Sequence, residues 1–228
     1  MKALSKILLE KPLDGADIGV LILPGGGYYN VSEIEAGCVA DKFNSLGASA
    51  FVLYYSVYPN KFPTALLEVA EAIKHIRQNF STIKKLIVCG FSAGGHLAGC
   101  IATMFDSPII SDALGKFDYR PDGAILCYPV ITNDKRYRHN GSFACLCGNF
   151  NKKLKEKLSL ENCVDDNTPP TFLWHTQEDN CVPCRNSELF AEALAKHNVP
   201  CKLQLFPHGG HGLSLASPQY GFAQNRCF

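Results

Sequence analysis

An α/β protein built on a mostly parallel sheet is what this chain predicts, and three observations carry that expectation. Apolar runs of strand length recur along its 228 residues. Segments with helical spacing separate them. A Gly-x-Ser-x-Gly pattern, Gly90-Phe91-Ser92-Ala93-Gly94, stands where one run gives way to a helix-like segment of small residues. Runs that are apolar nearly throughout suit strands buried on both faces, and strand alternating with helix implies a sheet covered on both sides.

The expected strands, about six, are residues 18–23, 48–55, 86–89, 123–128, 171–175 and 201–206. Between them, residues 33–46 place Ile34, Val39, Phe43 and Leu46 near one helical face. Residues 63–80 begin with a proline in the first turn and line up Leu66, Val69, Ala70, Ile73 and Ile76. Residues 187–197 repeat the pattern with Leu189, Phe190 and Leu194. The small residues at 96–102 suit a helix behind the serine. Residues 131–168 break the alternation. They are polar, rich in Lys and Asn, and predict at most a short helix around 152–160. They follow the fourth strand, on the side where such sheets bind ligands, so they read as an excursion over the site. Residues 1–228 are expected to form one domain.

Composition excludes several function classes. Hydrophobic content is 46%, charged content 19% and net charge +1, which leaves no electrostatic footprint for nucleic acid or an anionic membrane surface. No apolar run approaches the roughly 20 residues of a membrane span. Residues 1–12 carry Lys2, Lys6 and Lys11 around Ile7-Leu8-Leu9, too short and interrupted for a secretion signal, so the expected location is the cytoplasm. The eleven cysteines are odd in number and sit mostly in apolar contexts such as Cys89, Cys100 and Cys127, which predicts reduced thiols instead of a disulfide framework. Cys145-x-Cys147 and Cys181-x-x-Cys184 lack a second pair at zinc spacing, so no metal is expected.

A strand that turns sharply into a helix at Gly-x-Ser-x-Gly lifts the serine out of the sheet, and the helix N-terminus behind it favours negative charge. Ser92 is therefore the nucleophile candidate. A serine nucleophile needs a base, a group that orients the base, and donors for the oxyanion. The base candidate is His211, which follows the last strand between glycines. His208 is its rival in the same loop, and His211 is preferred because an apolar segment follows it. The acid candidate is Asp179, after the fifth strand, with adjacent Glu178 as the rival. The oxyanion donors expected are the N–H of Ala93 and those of Gly26 and Gly27, in the glycine turn after the first strand. Tyr28, closing that turn, and His139, in the excursion, are the expected substrate contacts. His96 is read as fixing local packing and His175 as supporting the acid loop.

The segments LPGGGY, GFSAGGHLAG, RPDGAILCYPVI, TPPTFLWHTQEDNCVP and FPHGGHGLSLA, in this order, resemble the α/β-hydrolase superfamily. The resemblance is to its small carbohydrate-esterase-like group of acetyl-xylan esterase and BD-FAE type, and it covers residues 21–216. It implies Ser92, Asp179 and His211 as a triad and Gly26, Gly27 and Ala93 as oxyanion donors. It also implies a small-molecule ester substrate such as an acylated sugar, hydrolysed without a cofactor. One departure stands out. Most α/β-hydrolases have two further strands before the glycine turn, whereas about two dozen residues precede Gly25 here. The expected sheet lacks that hairpin, and its open edge predicts cover from a partner in a homo-oligomer. The runner-up functions are a serine peptidase of prolyl-oligopeptidase type and a non-catalytic binding protein on the same fold.

Overall fold

The computed structural model describes residues 3–216. Its centre is a seven-stranded sheet in the order β1-β3-β2-β4-β5-β6-β7. The strands are β1 (Leu8–Lys11), β2 (Ile18–Leu23), β3 (Ser49–Leu53), β4 (Lys85–Phe91), β5 (Gly123–Cys127), β6 (Thr171–Thr176) and β7 (Cys201–Phe206). From β3 to β7 all neighbours are parallel; β1 alone runs antiparallel, pairing Leu8 with Leu53 and Lys11 with Ala50.

All six expected strands form. The seventh, β1, is one strand beyond the six expected; it is a single strand before β2, not a hairpin. It is only four residues long, and Glu10 and Lys11 hide its pattern. It covers the outer edge of β3 with this chain's own residues, and β1 is then the edge strand on that side.

The central strands alternate their side chains between two cores, as the period of two requires. Leu21, Leu23, Phe51, Leu53, Val88, Leu126 and Leu173 face one side. Against them pack α2 (Thr64–Asn79), α3 (Ala93–Met104), α4 (Pro108–Leu114) and α7 (Arg185–Lys196). Val20, Ile22, Ala50, Val52, Cys89 and Phe91 face the other side, under Val39 and Ala40 of α1 (Gly37–Ser45).

The expected helix over residues 33–46 is interrupted. A 3₁₀ turn at Glu33–Glu35 ends at Ala36, whose φ of −106° and ψ of −102° lie outside the helical range, and α1 starts anew at Gly37. The break takes Ile34 and Leu46 off the apolar face, leaving them 36% and 68% exposed, while Glu35 turns inward.

Residues 131–168 hold more structure than their polarity suggests. They contain α5 (Asn140–Cys147), α6 (Lys152–Lys157) and a 3₁₀ turn at Leu160–Asn162. Ile131, Phe143, Leu146, Leu158 and Leu160 join the main core. Asn186 at the start of α7, itself fully buried, anchors the segment's base. Its Oδ1 accepts from the N–H groups of Ile131 and Thr132, and its Nδ2 donates to the carbonyls of Tyr137 and Pro183.

No single helix among the described residues is long and apolar enough to cross a membrane. None of the ten described cysteines is in a disulfide; Cys227 lies outside the described residues.

Candidate active site

Ser92 sits between β4 and α3 with φ 52° and ψ −116°, a left-handed conformation that a β-carbon disfavours. The surrounding backbone holds it there. Ser92 N–H donates to Cys127 O at 2.9 Å, and Ser92 O accepts from Val130 and His96 N–H. The glycines of the pattern are spacing requirements. A Cβ on Gly90 would overlap the Gly94 carbonyl, and one on Gly94 would overlap the carbonyls of Leu23 and Pro24. The sharp turn thus exists because two backbones approach where no side chain fits.

The structure brings Ser92, His211 and Asp179 together. Ser92 Oγ lies 2.7 Å from His211 Nε2, and His211 Nδ1 lies 2.6 Å from Asp179 Oδ2. An ionised carboxylate only accepts, so Nδ1 carries the imidazole proton and Nε2 is left to accept from the Ser92 hydroxyl. Asp179 is buried, which pushes its carboxyl up. Hydrogen bonds from His175, His211 and Val182, with the nearby His211 charge, more than reverse that and hold it well below the usual carboxylate range. Its Oδ1 accepts from Cys181 and Val182 N–H, both at 2.9 Å.

His175 fixes this carboxylate from behind. Its Nε2–H is shared between Val182 O at 2.8 Å and Asp179 Oδ2 at 3.2 Å, and its Nδ1 accepts from Ser187 Oγ. The two rivals pair with each other at the surface. His208 Nδ1 is 2.9 Å from Glu178 Oε1, with side chains 82% and 57% exposed.

The glycine turn packs against the serine: a Cβ on Gly25 would come within 3.0 Å of Ser92 Cβ. Gly26 and Gly27 both have positive φ, 119° and 65°, and Gly26 O accepts from Tyr29 and Asn30 N–H, closing the turn. Ala93 opens α3, where N–H groups have no partner inside the helix. Three buried side chains pin the turn. Glu35 Oε2 accepts from Gly25 N–H, Tyr55 O–H donates to Pro24 O, and Tyr28 O–H donates to His96 Nδ1. His96 Nε2–H donates to Leu158 O, and burial lowers the His96 pKa to about 4, which keeps the ring neutral and the tautomer set.

Tyr28 is a correction. It is 2% exposed and its hydroxyl is spent on His96, so its side chain belongs to the core and does not face substrate. Its left-handed φ of 59° turns it inward, and the next residue, Tyr29, is the exposed one at 66%. His139 does border the site. Its Cε1 is 4.0 Å from the position of a Cβ on Gly27, and its Nδ1 accepts from Ser142, which puts its proton on Nε2. Burial, with His211 nearby, lowers its pKa.

Two residues of the site escaped the sequence reading. Glu35 lies in a segment that reads as helix, and Tyr128 ends a strand that reads as core. Tyr128 stacks edge-on against His211, ring centres 5.1 Å apart, and donates to Glu35 Oε1 at 2.6 Å. The one available signal was a carboxylate in a patterned apolar segment, and it does not name a partner. Among the described residues, no group of three or more His, Cys, Asp or Glu comes together to hold a metal.

A mostly parallel sheet, a serine at the β4–α3 turn, and acid and histidine loops after β6 and β7 define the α/β-hydrolase fold. Within that class, the BD-FAE family model matches residues 14–194, and the chain belongs to that family. It is 42% identical over 217 residues to endo-1,4-beta-xylanase B of Butyrivibrio fibrisolvens, covering 88% of this chain and 33% of that protein. It is 31% identical over 224 residues to an acetylxylan esterase of Xylanibacter ruminicola, covering 92% of this chain and 43% of that protein. The chain thus spans less than half the length of either of these relatives. Among solved structures, the acetyl ester-xyloside bifunctional hydrolase from Caldicellulosiruptor lactoaceticus superposes with a TM-score of 0.83 at 42% identity, covering 92% of this chain and 80% of that one.

Proposed function

We propose that this protein is a serine esterase that removes small acyl groups, acetyl foremost, from a sugar or similar alcohol. The observation that carries the reading is the continuous chain from Ser92 Oγ through His211 to Asp179, at 2.7 and 2.6 Å. In this mechanism Ser92 Oγ attacks the ester carbonyl while His211 Nε2 takes the serine proton. Charge on the carbonyl oxygen is received by N–H groups of Gly26, Gly27 and Ala93. Collapse of the tetrahedral intermediate breaks the bond to the alcohol oxygen, which leaves with the proton from His211. Water, deprotonated by the same imidazole, then hydrolyses the acyl-enzyme. Each step uses this chain's own groups, and no cofactor enters.

Two observations favour a sugar as the alcohol. Relatives are named for xylan and acetyl-ester chemistry. An open depression of about 240 Å³ is lined by Tyr29, Tyr58, Ala144, Cys145 and Asn149. Tyr58 N–H donates to Tyr28 O, which fastens the depression's aromatic wall to the glycine turn. Aromatic faces and a side-chain amide suit a ring with apolar faces and hydroxyl edges. In this reading His139, whose Nδ1 accepts from Ser142 and whose proton is therefore on Nε2, donates to the substrate.

The test is hydrolysis of p-nitrophenyl acetate, butyrate and octanoate by wild type and Ser92→Ala, followed by acetylated methyl xyloside. Acetate cleavage that exceeds octanoate cleavage and disappears in Ser92→Ala is expected. Tyr29→Ala should raise KM for the acetylated xyloside more than for p-nitrophenyl acetate. Cleavage of a peptide anilide but no ester would replace the reading with a peptidase, and folded protein inert on both would replace it with a binding protein.

A further inference from the structure

Glu35 is 3% exposed and lies between the glycine turn and the loop that carries His211. Its Oε2 accepts from Gly25 N–H at 2.7 Å, and its Oε1 accepts from Tyr128 O–H at 2.6 Å. Ser32 supplies a further side-chain hydrogen bond. Tyr128 oxygen in turn accepts from Ser214 N–H at 2.8 Å, three residues beyond His211. Ser214 Oγ–H donates to the carbonyl of Ile34, beside Glu35. A buried carboxylate is costly unless hydrogen-bonded, and a position surrounded by donors calls for an acceptor-only group. The packing of the fold supplies no reason for a carboxylate here, because Ala36, Val39 and Ala40 alongside it are apolar.

We propose that Glu35 is a positioning residue that ties the oxyanion turn, through Gly25, to the histidine loop, through Tyr128 and Ser214, so that the two halves of the site keep one geometry. The inference rests on the serine-esterase reading. It adds a link between parts that the chain separates by almost two hundred residues. One carboxylate fixes the N–H end of Gly25 directly, and Tyr128 passes the restraint to His211 by ring contact and to its loop by the hydrogen bond from Ser214 N–H. The groups facing Glu35 are Tyr128 and Cys127 at the end of β5, Tyr55 after β3, and His211. Burial pushes the Tyr128, Tyr55 and Cys127 pKa values up, so those groups stay neutral. Burial pushes the Glu35 carboxyl up as well, and the hydrogen bonds from Tyr128, Gly25 and Ser32 pull against that shift.

The experiment compares wild type, Glu35→Gln, Tyr128→Phe and the double variant on p-nitrophenyl acetate, with thermal melts and kcat and KM determined separately. In Glu35→Gln one of the two former carboxylate oxygens becomes a donor facing a donor. Its kcat is expected to fall about 10- to 100-fold, as sub-ångström misplacement does, with KM within about twofold of wild type. Because both residues act through one linkage, the double variant should lie within about twofold of Glu35→Gln alone. Wild-type kcat in Glu35→Gln, a loss carried by KM instead of kcat, or losses that multiply in the double variant, would overturn the proposal. If Glu35→Gln does not fold, Tyr128→Phe decides. A lowered kcat with a near-native melting midpoint supports the link, and an unchanged kcat removes it. Hydrolysis that survives Ser92→Ala would sink the esterase reading and this inference together. Ser92-dependent hydrolysis with an unaffected Glu35→Gln would sink only the inference.

Discussion

Replacing Asp179 by asparagine tests the site at its most constrained point. The Asp179 side chain is fully buried, and every group around it is a donor: Cys181 and Val182 N–H on Oδ1, His211 and His175 on Oδ2. Asparagine keeps the shape but offers one oxygen. Turning that oxygen toward the two N–H groups preserves the loop, and the amide NH₂ then faces both histidines. His175 cannot change tautomer without losing Val182 O, whereas His211 can move its proton from Nδ1 to Nε2. The displaced proton then faces Ser92 Oγ, where an acceptor is required. The same isosteric change in a Ser-His-Asp triad lowers kcat about 10⁴-fold, or about 5.5 kcal/mol of barrier. Losing the charged character of these bonds should cost about 2–3 kcal/mol of stability and about 4–12 °C in melting midpoint. Steady-state hydrolysis of p-nitrophenyl acetate and a thermal melt measure both, with Glu178→Gln as control. A variant that keeps more than about a tenth of wild-type kcat would refute the assignment. So would a larger loss in Glu178→Gln, because that side chain pairs with His208 away from Ser92.

Three further outcomes are expected. Gly94→Ala places a methyl group on the backbone carbonyls of Leu23 and Pro24, which have no rotamer to yield; a loss of about 1–3 kcal/mol or more should appear as an earlier thermal transition. His96 has a folded pKa near 4 and an unfolded value near 6.5, so the unfolded chain binds its proton first as pH falls. Its contribution is complete above pH 6.5 and is lost between 6.5 and 4, worth roughly 3 kcal/mol; urea midpoints at pH 7 and 4.5 should differ less in His96→Gln than in wild type. Asp179 acts in a lower window, since its folded pKa is depressed. Its stabilisation is present above the unfolded carboxylate value of about 4 and is lost as pH falls below it. Acid unfolding of Asp179→Asn should therefore be the shallower, and a parallel acid transition would count against the ionised buried carboxylate.

The parts of this molecule that sequence makes legible are those whose cause is local. Ile18–Leu23 and Cys201–Phe206 have the bounds their apolar runs suggest. The Ser92 turn is readable because Gly90 and Gly94 are demanded by backbone contact on either side of it. What stays hidden has its cause elsewhere in the chain. β1 is a strand only because β3, some forty residues later, offers an open edge to Leu8–Lys11. The segment 140–147 becomes α5 because Phe143 and Leu146 find the core that α3 completes. Tyr28 looks like a substrate contact until His96, 68 positions on, takes its hydroxyl. Glu35 is the extreme case, for its partners belong to Gly25 and, 93 positions away, Tyr128.

The choice between adjacent acids shows where that boundary falls. Glu178 and Asp179 both follow β6 within three residues, and either could orient a histidine by chemistry alone. The turn decides. Asp179 N–H closes back on Thr176 O, and Cys181 and Val182 then present two N–H groups to the carboxylate that points inward. The Asp179 side chain sits under both N–H groups with one oxygen and meets His211 and His175 with the other. Glu178, one residue earlier, projects outward, where His208 and Gly209 N–H meet it. The same step sorts the histidines: His208 follows Glu178 to the surface, and His211, past two glycines, is free to return to Ser92. Moving the carboxylate by one position, as Glu178→Asp with Asp179→Gln, should therefore not restore activity, although the loop would still carry one acid of the right kind.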